Sequence, residues 1–218
     1  SIEAGSNVVK QLTWPDASTP ISAVAAKNSA LFFTADKKAY RADPLKTSVT
    51  AITYDNSQTA SVAGANIYGT RIYILDPVGK MVWRHSFSTA IGAPTAYIKQ
   101  TSANLEEATS IAIDANVYVG FSDGKIVRYL SGAQEAWAPL PLDPPLTNVA
   151  GLWTATESDR LVVADATDKR IIVLRKDGKL VSQITSPVFK GPHAVSVDLA
   201  TKMIFVADGN SIYGFDLP

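Results

Sequence analysis

Apolar positions fall in short bursts along this chain, each alternating or wholly apolar over four to six residues, with Asp, Gly and Thr in the gaps. Residues 160–184 show the pattern most clearly: LVVAD, RIIVLR and LVSQI are separated by residues 166–169 and 177–178. β-branched runs punctuated in this way predict consecutive antiparallel strands joined by tight turns. With VAGLWTA (149–155) in front, the stretch forms a unit of four strands.

The unit recurs. The central apolar residues of successive second strands are Leu31, Ile72, Val117, Leu161 and Ile204, spaced by 41, 45, 44 and 43 residues. A period in the forties made of four strands and no helix predicts a five-bladed β-propeller, an all-β fold, with residues 1–218 as one domain. The first blade is expected over residues 21–26, 30–36, 38–43 and 48–54. The second is expected to start at Ser61, to turn at residues 77–80 and to end with residues 95–99. The third runs from Thr109 through Val117 and Ile126 to an outer strand at 135–138. The fourth is the opening unit, and the fifth begins at His193. The C-terminus then supplies only a third strand, while residues 7–14 supply one strand too many before the first blade. The spare strand is expected to pair with residues 211–216, closing the last blade and covering its edge. First strands are rich in Ala, Ser and Gly, as innermost strands near an axis require, and Trp153 is the exception, read as packing between blades in preference to filling part of the channel.

Composition narrows the function classes. Twenty basic residues balance twenty acidic ones without a basic cluster, which argues against a surface for nucleic acid or anionic membrane. No cysteine is present, so disulfides and thiolate metal sites are excluded. No apolar run approaches the roughly 18 residues of a membrane span. The start lacks both a signal-peptide core and an initiator Met, so the chain is expected to be an excised domain or a processed product.

On VVADATDKRIIVLRKDGK (162–179), RIYILDPVGK (71–80) and VYVGFSDGKIVRYL (117–130), the chain resembles the NHL/YVTN-type propeller repeats over essentially its whole length. RIYILDPVGKMVWRHS, APTAYIK (93–99) and KMIFVADGNSIYGFDL are also similar to propellers that follow a membrane anchor in bacterial phosphatase-like proteins. The resemblance implies an extracytoplasmic (periplasmic or cell-surface) binding or sensing module, without the phosphatase domain.

Candidate chemistry is sparse. Asp36, Asp76, Asp165 and Asp208 end second strands, with Phe121 in the third blade's equivalent position. They are read as accepting hydrogen bonds from their own turns, in preference to a cation-binding set. His85 lies in a third strand and His193 opens an innermost one, so they are not expected to share a zinc ion. No GxSxG elbow or cysteine nucleophile is present. Glu106, Glu107 and Asp143 lie in inter-blade loops and are read as solvated. Trp14 and Trp137 each precede a Pro-rich loop, TWPDASTP and AWAPLPLDPP; each is read either as wedged between blades or as an aromatic face beside a rigid loop, which suits sugars, peptides or Pro-rich ligands.

The sequence is therefore read as a monomeric, non-catalytic recognition or sensor module with no metal or cofactor. Its protein, peptide or glycan ligand is expected on the inter-blade loops, over His193, Phe189, Glu106 and Trp137, with Trp14 further out. Those loops vary most between repeats, which is how a binding face on a repeated scaffold looks. The alternative is a small propeller hydrolase or lactonase with its site at the channel mouth.

Overall fold

A computed structural model describes residues 13–15, 18–26, 30–42, 48–99 and 104–218, and the regular structure among them is entirely β. The chain is a five-bladed β-propeller, and it divides into two compact units, Ser1–Tyr97 and Ile98–Pro218.

The first unit holds two four-stranded antiparallel sheets in chain order. One is β1 (Ile21–Ala26), β2 (Ala30–Thr34), β3 (Ala39–Ala42) and β4 (Val49–Ile52). The other is β5 (Gly64–Tyr68), β6 (Arg71–Asp76), β7 (Met81–Phe87) and β8 (Ile91–Ala96). Leu31 and Phe33 of β2 pack with Ile72 and Ile74 of β6 across the small residues Ala23, Ala25 and Ala65 of the inner strands. Alanine is what lets the two inner strands approach while the longer side chains behind them fill the space.

The second unit continues the meander through β9 (Ala108–Ile113), β10 (Val117–Phe121), β11 (Ile126–Leu130) and β12 (Ala133–Gln134). Next come β13 (Val149–Thr154), β14 (Arg160–Asp165), β15 (Arg170–Arg175) and β16 (Leu180–Thr185). The last sheet is β17 (Pro192–Asp198), β18 (Met203–Asp208) and β19 (Ser211–Asp216). The second strands β10 and β14 are buried at every position except Arg160 at the edge, because they are covered on both faces. Trp153 packs with Phe189, Val162 and Ile204 between the fourth and fifth sheets, as its reading as a core residue requires.

Strand order follows the predicted pattern, and so do the outer strands of the first and fourth sheets; the departures lie in the second and third sheets. In the second sheet the inner strand begins at Gly64 and the outer strand is Ile91–Ala96, four residues earlier than expected at its start. In the third the outer strand is the two residues Ala133–Gln134, ahead of the expected 135–138. There the chain reaches the proline-rich segment, and proline has no N–H to give a ladder.

Of the closing strand expected over residues 7–14, residues 7–12 lie outside the described residues. Thr13 pairs in parallel with Ser48, its carbonyl accepting the Val49 N–H at 3.1 Å. Trp14 stands against Tyr40 and Phe32, with ring centroids 4.8 and 5.4 Å away. The fifth sheet has three strands among the described residues.

Candidate functional site

The strand-ending aspartates do more than hold their own turns. Asp76, fully buried, accepts the Gly79 N–H of its own turn. It also accepts the N–H groups of Ala60 and Ser61, the Ser61 hydroxyl and the Trp83 indole N–H, all within 2.7–3.0 Å. Burial alone would raise this carboxyl, but the hydrogen bonds outweigh it and hold it below its ordinary 3.8. Asp165 accepts the Asn148 N–H and the Thr147 hydroxyl and is paired with buried Arg170 at 2.9 Å. Asp208 accepts the N–H groups of Lys190 and Gly191. Each carboxylate therefore fixes the connection that leads into the first strand of its own sheet. Asp36 is the exception, exposed and bonded to Thr34 and Lys38.

Where the inner strands begin, the ladder repeatedly takes one extra residue. The register shifts between Ile21 and Ala23, between Val149 and Gly151, between Pro192 and Ala194, and opposite Gly120–Phe121. The bulged residues are Ser22, Thr109, Ala150 and His193. A bulge re-aims its side chain. The Ser22 hydroxyl turns back onto the Phe33 carbonyl and that of Thr109 onto Gly120 and Val149. His193 occupies the same place in the fifth sheet, but its imidazole is exposed.

Beside this end of the fourth and fifth sheets lies an open groove of about 430 Å³ lined by Asp168, Lys169, Thr185, Ser186, Pro187 and Phe189. β-Register builds it: Arg170 pairs with Thr185 across β15 and β16, which sets the turn residues 168–169 beside the chain leaving β16. Phe189 supplies the floor. It is only 4% exposed and packs edge-on against Phe215 and Tyr213 at 5.4 and 6.0 Å. Asp168 at the lip accepts from the Thr147 hydroxyl at 3.0 Å and lies 3.4 Å from the Arg170 guanidinium. An apolar floor under one acidic and one basic residue suits a peptide segment of mixed character.

The predicted site residues are only partly brought together. Glu106, just before β9, and His193 and Phe189, around the start of β17, share one end of the second unit. Trp137 is at the other end: its indole donates to the Lys176 carbonyl at 3.0 Å, in the turn after β15. Its ring meets Tyr118 edge-on at 5.4 Å and lies under the Arg128 guanidinium, so it is a packing residue of the third and fourth sheets. Trp14 belongs to the first unit and packs there. His85 is buried, its Nδ1 donating to the Gly92 carbonyl at 2.8 Å. Among the described residues no three His, Asp or Glu side chains gather as a metal site would require. The expected inter-blade loops include residues 186–187, but sequence reasoning missed Asp168, Lys169 and Thr185; counting register through the β15–β16 hairpin was the signal that would have paired them.

Neither a protein-family model nor a curated protein matches the chain. Solved propeller structures do. A nidogen–laminin complex is 17% identical with a TM-score of 0.69, covering 91% of this chain and 76% of that one. The WD40 β-propeller domain of Doa1 is 14% identical with a TM-score of 0.60, covering 88% of this chain and 62% of that one. At these identities the likeness is one of fold.

Proposed function

We propose that this propeller is a non-catalytic recognition module that binds a protein or peptide ligand where the inner strands of its second unit begin. The ligand lies in the groove between Asp168–Lys169 and residues 185–189 and reaches His193. The observation that carries this reading is the bulge at His193: the equivalent Ser22 and Thr109 hydroxyls are used by their own sheets, whereas His193 turns its imidazole to solvent. One of the similar propellers was solved in a complex of two proteins, nidogen and laminin, which supports a protein ligand.

The finer assignment rests on the repeat phrases. VVADATDKRIIVLRKDGK supports an NHL-type repeat, and RIYILDPVGKMVWRHS with KMIFVADGNSIYGFDL supports a bacterial, extracytoplasmic setting within a larger envelope protein. The module acts as a monomer in this reading.

Selection from a displayed peptide library, with a glycan array as the second arm, tests the site on the full chain. Peptides retained by the wild type are expected to lose at least about tenfold in affinity, roughly 1.4 kcal/mol, in a His193→Ala, Lys169→Ala variant. They are expected to bind a Leu140→Ser, Pro141→Ala variant unchanged. Retention of glycans alone, or full affinity in the His193 variant, overturns the reading.

A further inference from the structure

The groove at Phe189 is bordered by charges of both signs, and the two signs are held differently. Three carboxylates stand at this end of the fourth and fifth sheets, and each is turned onto the protein. Asp165, wholly buried, holds Thr147, Asn148 and Arg170. Asp208 holds the N–H groups of Lys190 and Gly191. Asp168, at the lip, is drawn onto the Thr147 hydroxyl and the Arg170 guanidinium, with 34% of its side chain exposed.

The lysines are placed in the opposite way. Lys169 lines the groove and Lys190 directly follows its floor residue, and both are exposed. Neither ammonium group has a hydrogen-bond or ion-pair partner among the described residues. The segments that carry them are neighbours: a Cβ on Gly191 would lie 3.9 Å from the Ala166 carbonyl oxygen, so residues 189–191 run beside the turn 166–169. Lysine stems lie along apolar surface while their charged ends stay in water. The Phe189 floor therefore has two unclaimed cations beside it, whereas the one acid at the lip is already held.

We propose that the ligand of this groove is an acidic peptide: an Asp or Glu side chain of the ligand meets Lys169 and Lys190, and a nearby apolar side chain rests on Phe189. The proposal rests on the reading of this groove as the recognition site and narrows its ligand. Complementary charge speeds encounter and excludes basic competitors more than it adds affinity. The apolar contact on Phe189 supplies the larger share of the hold, since exposed ion pairs each contribute little.

A displayed peptide library, selected separately with the full wild-type chain and with a Lys169→Glu, Lys190→Glu variant, provides the test. Peptides retained by the wild type are expected to be enriched in Asp and Glu, to weaken about threefold or more when the acid is changed to its amide, and to lose affinity as salt is raised. The charge-reversed variant is expected to bind them at least about tenfold more weakly and to select peptides with Lys or Arg at the same place. Lys179→Glu, beyond the other end of β15, should bind as the wild type does. The amide peptides leave the protein untouched, so their comparison decides the matter even where the charge-reversed chain does not fold. Retained peptides that weaken in His193→Ala, yet show no acidic enrichment and no loss on conversion to the amide, overturn the proposal and leave the recognition site in place. Retention of no peptide, or only of peptides indifferent to His193→Ala, overturns the recognition site and the proposal with it.

Discussion

Asp165 and Arg170 join three pieces of chain in one buried ion pair: the end of β14, the start of β15 and, through Thr147, Asn148 and Pro145, the segment entering β13. Both side chains are almost wholly withdrawn from solvent. Arg170→Ala strands the Asp165 carboxylate, and equilibrium denaturation is expected to show a loss of about 3–5 kcal/mol. Asp36→Ala, by contrast, removes an exposed carboxylate and is expected to leave the denaturation midpoint where it was. His85 makes a pH-dependent contribution. Burial beside Tyr54 lowers its proton affinity below the ordinary 6.5, against the opposing effects of the Gly92 carbonyl and Asp55, and its Nε2 has no hydrogen-bond partner among the described residues. The unfolded chain takes up a proton at His85 as pH falls through about 6.5, while the folded chain resists until lower pH. Stability is therefore complete above pH 6.5 and declines below it, by up to about 1 kcal/mol per pH unit. Denaturation at pH 7.5, 6.5 and 5.5 is expected to show this decline in the wild type and a flatter profile in His85→Phe. The recurrent Asp positions were legible in the sequence; their partners were not. Those partners are N–H groups some 15–18 residues upstream, in connections with no periodicity to align them.

Second strands such as β10 and β14 were legible because both faces are covered and nearly every position is apolar. The outer strands of the second and third sheets were not, because an edge strand is constrained on one side only and can start or stop with little change in pattern. β12 is the extreme case, cut to two residues before the chain enters the proline-rich segment. That segment takes its seat partly from glycine. Gly124, in the turn between β10 and β11, has a φ of 85°, and a Cβ there would sit 2.0 Å from the Leu146 carbonyl oxygen. Left-handed backbone and collision with main chain act together, so Gly124→Ala is expected to cost about 2–4 kcal/mol. Calorimetric melting measures that cost. A melting point matching the wild type would mean that residues 145–146 are free to move away.

At the scale of the whole molecule, the spacing of Leu31, Ile72, Val117, Leu161 and Ile204 was enough to read five blades, since one repeat cannot bury its own faces and must stack on the next. The groove was not readable in the same way. It arises where two segments meet through strand register, and its bulged neighbour His193 differs from Ser22 and Thr109 only in what its side chain does after the bulge. Trp137 was misplaced for a related reason: its position in the chain says that it follows an outer strand, but not that the chain then turns along the far end of the blade. Recognition where the inner strands begin is the central claim, and amide chemical-shift mapping addresses it most directly. The ¹⁵N-labelled full chain is titrated with the tightest peptide from the displayed library. Saturable shifts gathered at residues 168–169, 185–189 and 191–194 are the predicted result, whereas shifts gathered at the turn 77–79, at the turn 176–179, or nowhere would contradict it.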